Sequence, residues 1–87
     1  MQFLYSRRFT KQFERLTRTT QIRVIQRQNL FAQDKRNSLL NDHALLGDSK
    51  GLRSFSITGD VRIIYEVVGD DIVLLLKVGT HHELYGA

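Results

Sequence analysis

The sequence predicts an α+β domain of order β-α-α-β-β-β, with two helices packed on one face of a mostly antiparallel sheet. Three observations carry this prediction. All six glycines fall between Gly47 and Gly86 and proline is absent, so everything before Gly47 lacks both strong breakers. Helical spacing runs through that first half. Short, β-branched and alternating runs fill the second half, separated by glycine turns.

Each element follows in order. Residues 1–5 (MQFLY) read as a short strand. From Ser6, the residues Phe9, Phe13 and Leu16 at i, i+4 and i+7 make one stripe of an amphipathic helix. The polar run Thr17 to Thr20 predicts a turn, with Thr19 or Thr20 as the cap of a second helix over residues 21–37. On that helix Ile22, Ile25 and Ala32 share a face with Leu39, while Val24 and Phe31 lie elsewhere. The short connection predicts an antiparallel helix pair. Residues 41–51 read as a loop, with a plain turn at Gly47 to Gly51. Leu52 to Thr58 alternates, with Phe55 and Ile57 on one face and Ser54 and Ser56 on the other. After a turn at Thr58 to Asp60, Val61 to Val68 puts Ile63, Tyr65 and Val67 on one face and Arg62, Ile64 and Glu66 on the other. Gly69 to Asp71 turns again. Ile72 to Gly79 is nearly all apolar, as a central strand would be. The tail from Thr80 is expected only to cap the sheet. Ser54, Ser56 and Arg62 are expected on an open, polar sheet face, a natural place for a ligand.

The chain has 87 residues, which suits one domain over 1–87 and leaves no room for a second. It has no cysteine, so disulfides, cysteine–zinc sites and thiol nucleophiles are excluded. No apolar run is long enough to cross a bilayer and no signal-peptide pattern opens the chain, so a cytoplasmic location is expected. The net charge is +4. It is unevenly spread: residues 1–36 hold nine bases against two acids, a net +7, and residues 37–87 hold four bases against seven acids, a net −3. A basic half of this kind is the electrostatic footprint of a polyanion partner, although the same bases also solvate helix surfaces.

The histidines are the first candidates for chemistry, because their unperturbed pKa lies nearest neutrality. His43 sits in the loop before the sheet, and His81 and His82 follow the last strand. A lone loop histidine is usually just solvated, and two adjacent histidines cannot both enter one site from an extended chain. A metal set of His43, Asp60 and His81 is not enforced by spacing, so no metal and no cofactor are expected. Metal-free RNA cleavage needs a base for the 2′-OH, an acid for the leaving 5′-oxygen, a cation for the phosphate and a surface that holds the strand in line. Two histidines, Asp60 and Arg62 near one sheet face, with Tyr85 to stack on a base, permit this chemistry without selecting it.

Three ordered blocks go further. They are Asp42-His43-x-Leu-x-Gly-x-x-Lys-Gly-x-Arg53, then Asp60-x-x-x-Ile-Tyr65, then Gly79-Thr80-His81-x-x-Leu-Tyr85-Gly86. Together they resemble the YafQ-like branch of the RelE/ParE toxin superfamily, the toxins of type II toxin–antitoxin pairs. The resemblance is dense over residues 41–86 and rests on element order alone over residues 1–40. It implies a fold like that of microbial ribonucleases and an endonuclease that cuts mRNA in the ribosomal A site. It also implies a cognate antitoxin in a hetero-oligomer. Carried over, His43, Asp60, His81 and Tyr85 match the pattern's catalytic positions. Arg62 matches an arginine used on the scissile phosphate in the RelE branch. His81 then reads as general acid, His43 as general base, and Asp60 as the group that orients a histidine or the 2′-OH. Lys50, Arg53, Ser54, Ser56 and Lys77 are expected to contact RNA, and the basic helices to track ribosomal RNA.

Two positions depart from the pattern: Ser56 stands where a further histidine is expected, and Val61 where a tryptophan is. A catalytically weakened antitoxin-binding module is therefore the alternative expectation. A ParE-like gyrase inhibitor is a third, which the histidines in the matching blocks disfavour.

Overall fold

The structure is a computed structural model that describes residues 1–47 and 51–85. The elements run β1 (Gln2–Tyr5), α1 (Arg7–Glu14), α2 (Arg18–Gln33), a 3-10 turn (Ser38–Leu40), β2 (His43–Ala44), β3 (Arg53–Ser56), β4 (Val61–Gly69), β5 (Ile72–Thr80) and α3 (His81–Tyr85). The strands form one sheet in the order β1-β5-β4-β3-β2. β1 runs parallel to β5 and every other pairing is antiparallel. The predicted α+β order is present, with two elements added: β2 inside the expected loop, and α3 in the expected tail. Lys50 and most of the expected turn at 47–51 lie outside the described residues.

Local chemistry sets the helix starts. Ser6 caps α1, its Oγ accepting from the Phe9 N–H at 2.9 Å and donating to the Leu76 carbonyl at 2.7 Å. One hydroxyl thus starts the helix and ties it to β5. Gln12 adds a second tie, its Oε1 accepting from the Val78 N–H at 2.9 Å. β1 is too short to cover all of β5, and α1 takes over the remaining edge with these side chains. α1 packs closely on β5, and it also meets α2, whose Gln21 side chain donates to the Phe13 carbonyl at 2.9 Å. Thr17, not Thr19 or Thr20, caps α2, accepting from the Thr20 N–H at 3.3 Å.

The core lies between the helices and one face of the sheet. Phe31 stacks on Phe55 with centroids 4.7 Å apart and meets Tyr65 edge-on at 5.0 Å. Around this trio Val24, Leu40, Ile57, Ile63, Leu75 and Val78 are buried. The α2 face differs from the expected one. Ile22, Ile25, Ala32 and Leu39 are exposed, whereas Val24 and Phe31, seven residues apart, face inward. The physical reason is the trio: a phenylalanine ring buries more apolar area than isoleucine and finds two aromatic partners.

The other sheet face carries Ser54, Ser56, Arg62, Ile64 and Lys77, as the cross-strand pairs Ser54↔Ile64, Ser56↔Arg62 and Ile64↔Lys77 require. It is less open than expected, because Ser54 and Ile64 are buried.

Candidate active site

The sheet brings the sequence-distant candidates together. His43 enters on β2, paired with Ser54. Arg62 enters on β4, paired with Ser56 and Gly79. His81 opens α3 directly after β5, and Tyr85 follows one turn later on the same side, its ring 4.5 Å from that of His81. All four line one open cleft of about 430 Å³, together with Ala44, Leu45 and Leu46. His82 is not in its lining.

Asn41 organises the near side of the cleft. It closes the 3-10 turn in the left-handed region, at φ +44°. Its carbonyl accepts from Arg62 Nη2 at 3.1 Å and lies 3.0 Å from His43 Nδ1. A carbonyl has no proton to give, so the His43 contact is a bond only when Nδ1 carries the hydrogen. That tautomer leaves the lone pair on Nε2. The Arg62 guanidinium is fixed at a second point, Nε donating to the buried Ser54 hydroxyl at 2.8 Å. Its Nη2 also lies 3.4 Å from His43 Nδ1. With these two anchors the planar fork cannot swing away.

Behind His43 sits a second network. Tyr65 donates its hydroxyl to Asp42 Oδ1 at 2.7 Å, and Arg53 Nε lies 3.2 Å from the Tyr65 oxygen and 3.4 Å from Asp42. Burial, then the Asp42 bond, pushes the Tyr65 phenol well above its usual range. The Arg53 guanidinium is held more firmly protonated by Tyr65 and Asp42, against the effect of burial. This triangle pins the residue before His43 to the core.

On the far side, Thr80 and Glu83 form a capping box for α3. Glu83 Oε1 accepts from the Thr80 N–H at 2.8 Å, and Thr80 Oγ1 accepts from the Glu83 N–H at 3.2 Å. The Thr80 backbone and side-chain bonds hold the Glu83 carboxylate below its usual range.

The remaining expected site residues fall elsewhere. Asp60 is exposed on the β3–β4 turn, outside the cleft lining, with its N–H held by Thr58 Oγ1 at 3.2 Å. It precedes Val61, whose pairing with Thr80 ends the β4–β5 ladder. Arg53 is engaged by Asp42 and Tyr65, Ser54 is covered, and Ser56 donates to the Thr58 carbonyl at 2.8 Å. Lys77 is half-buried on β5. Among the described residues no group of three histidine or acidic side chains is placed to hold a metal ion. Asn41, Asp42, Tyr65, Thr80 and Glu83 have structural roles that no sequence reasoning assigned. Only the Thr-x-x-Glu spacing carried a readable signal, for two of them, Thr80 and Glu83.

Comparison with known families gives one match over nearly the whole chain. The profile described as bacterial toxin of type II toxin-antitoxin system, YafQ, covers residues 1–86. The chain belongs to the YafQ toxin family. Solved structures agree on the fold. YafQ from Escherichia coli strain BL21(DE3) superposes with a TM-score of 0.81 at 22% identity, covering 97% of both chains. A copper-bound mutant toxin from Helicobacter pylori gives 0.72 at 29% identity, covering 97% of this chain and 98% of its own. The Escherichia coli DinJ–YafQ toxin–antitoxin complex gives 0.79 at 23% identity, covering 97% and 96%. No curated protein sequence matches the chain. No helix among the described residues of this YafQ-family toxin is long and apolar enough to cross a membrane.

Proposed function

We propose that this toxin is an mRNA endonuclease that works in the cytoplasm on translating ribosomes, by metal-independent acid–base cleavage through the 2′-OH. The observation that carries the reading is the convergence of His43, Arg62, His81 and Tyr85 on one cleft. His43 Nε2 takes the 2′-OH proton, and the 2′-oxygen attacks the adjacent phosphorus. The bond to the 5′-oxygen breaks, and that oxygen leaves with a proton from His81. The products are a 2′,3′-cyclic phosphate and a free 5′-hydroxyl. Arg62 keeps donors for the phosphoryl oxygens beyond those used on Ser54 and Asn41, and so offsets the charge that grows there. Tyr85, 39% exposed, offers a face for a base. Asp60, on the β3–β4 turn, orients His81 or the 2′-OH. Arg53, Ser56, Lys77 and Lys50 are the further RNA contacts of this reading, with Ser54 acting through Arg62.

Mapping mRNA 5′ ends after induction tests it. New ends within codons are expected, and they should vanish with His81→Ala or His43→Ala. Unchanged transcripts and growth would overturn it.

The partner is a cognate antitoxin, a reading supported by the complex of the related YafQ with DinJ. An antitoxin that binds only the folded toxin should raise its melting temperature in the complex. One observation favours the alternative of a weakened, antitoxin-binding module: the Ser56 hydroxyl is spent on the Thr58 carbonyl and supplies no acid or base. Firm antitoxin binding without cleavage on ribosomes would select that alternative.

A further inference from the structure

We propose that a second cleft, between α2 and the β3–β4 turn, is a phosphodiester-binding subsite that grips nucleic-acid backbone next to the cleavage site. The proposal rests on the reading of this toxin as RNA-acting. The cleft encloses about 540 Å³, larger than the His43 cleft, and its walls include Thr19, Thr20, Arg23, Arg27, Ser56 and Thr58. None of its lining residues is acidic.

Charge is its first qualification. Arg23 and Arg27 lie one turn apart on α2 and project to the same side. Among the described residues neither pairs with a carboxylate. Arg27 Nη1 donates to the Leu39 carbonyl at 3.0 Å, which steadies the guanidinium and leaves most of its donors unused. α2 carries three arginines and no acid, and its first turn, bearing Thr19 and Thr20, opens on the cleft. The helix dipole there has the same sign as the arginines.

Hydroxyl chemistry is the second. Thr58 Oγ1 accepts from the N–H groups of Asp60 and Val61 at 3.2 and 3.0 Å. Thr20 Oγ1 accepts from the Thr17 hydroxyl at 3.0 Å. Both oxygens are used as acceptors, so their own protons remain to be donated. Donors with spare protons beside two guanidinium groups suit phosphate oxygens.

Position is the third. β2 pairs only with Arg53 and Ser54, so the Ser56 end of β3 is left without a neighbour on that side. The cleft wraps this end. Its wall residue Ser56 is the cross-strand partner of Arg62. A strand bound at Arg62 that passes round this free end of β3 meets Arg23 and Arg27 on the helix side of the sheet.

The test is the salt dependence of binding to a fluorescent oligothymidylate of about twelve nucleotides, long enough to span such a site. It lacks the 2′-OH and cannot be cut. Each phosphate contact adds about 0.7 to the slope of log affinity against log salt for single strands. The Arg23→Ala, Arg27→Ala double variant should bind about tenfold more weakly and lose about 1.4 from the slope. Arg23→Ala alone, on an exposed helix surface with no structural bond, should lose about half of that and decides the matter if the double variant misfolds. Replacing both by lysine should restore the slope. No measurable binding by the parent at low salt, or an unchanged slope in both alanine variants, would overturn the proposal. An unchanged slope with lost antitoxin binding would give the cleft to a protein partner instead. Loss of slope in a toxin that cuts no mRNA would leave this subsite standing and sink the catalytic reading.

Discussion

Thr80 and Glu83 hold each other's backbone N–H groups, and the residue just before this box, the penultimate one of β5, is Gly79. A Cβ on Gly79 would lie 3.1 Å from Glu83 Oε1. The box fixes the start of α3, and α3 carries both His81 and Tyr85. Glu83→Ala should therefore cost about 0.5–2 kcal/mol of stability, as lost caps do. It should also cut cleavage about tenfold or more through misplacement of His81. Gly79→Ala should reproduce the catalytic loss by displacing the carboxylate. Glu83 is ionised below its usual range, so the cap is complete above about pH 4.5. It is lost as the pH falls through the lowered value. Helix-terminus signals followed by NMR across that range would check it.

Arg62 is the second test. Its anchors on Ser54 and Asn41 use the guanidinium's fork, which an ammonium group cannot imitate. Arg62→Ala should lower kcat by about 100- to 1,000-fold. Arg62→Lys should recover little of it, while both variants keep the parent melting temperature within a few degrees. Recovery of most activity by lysine would show that charge alone suffices. Ribosome-based cleavage assays separate these outcomes.

Tyr65 links stability to alkaline pH. Its phenol keeps the proton in the folded state after the unfolded chain would have given it up. The contribution is complete below about pH 10, the unfolded value, and declines as the pH rises beyond it. Tyr65→Phe should lose about 1–3 kcal/mol near neutrality, because Asp42 then keeps only the 3.4 Å contact with Arg53. The variant should also show a shallower loss of stability above pH 10. Melting temperatures from pH 8 to 11 would measure both effects.

The rotation of α2 gives a fourth test. Phe31→Ala should cost about 3–5 kcal/mol, a large share of the roughly 4–13 kcal/mol expected for a chain of this size. Ile22→Ala and Ile25→Ala, at exposed positions, should each cost under about 1 kcal/mol. Chemical denaturation would rank the three. The opposite ranking would mean the helix turns its isoleucines inward.

Much of the fold was legible because β3, β4 and β5 announce themselves by alternation and glycine turns. Ser6 and the spacing of Phe9 and Phe13 likewise mark α1. β2 was not legible, since two residues have no period. The parallel docking of β1 on β5 joins residues far apart in sequence and leaves no local trace. The inward face of α2 depended on Phe55 and Tyr65, distant partners that helical spacing does not see. At the candidate site, His43, Arg62, His81 and Tyr85 stood out by type and motif. The groups that aim them did not: the Asn41 carbonyl is backbone, and Ser54, expected to touch RNA, instead holds Arg62. Asp60 stands on the turn where the sequence places it, outside the cleft lining.

The parallel pairing of β1 with β5 also governs when the toxin comes into being. The Ser6 hydroxyl meets the Leu76 carbonyl across 70 positions of sequence. Contacts of such separation form late and only after the intervening chain is available. During synthesis the first strand and the basic helices emerge early, yet they have no sheet to join until β5 follows. His81 and Tyr85 come after β5 again. The nascent chain thus carries its basic half long before it can assemble the cleft.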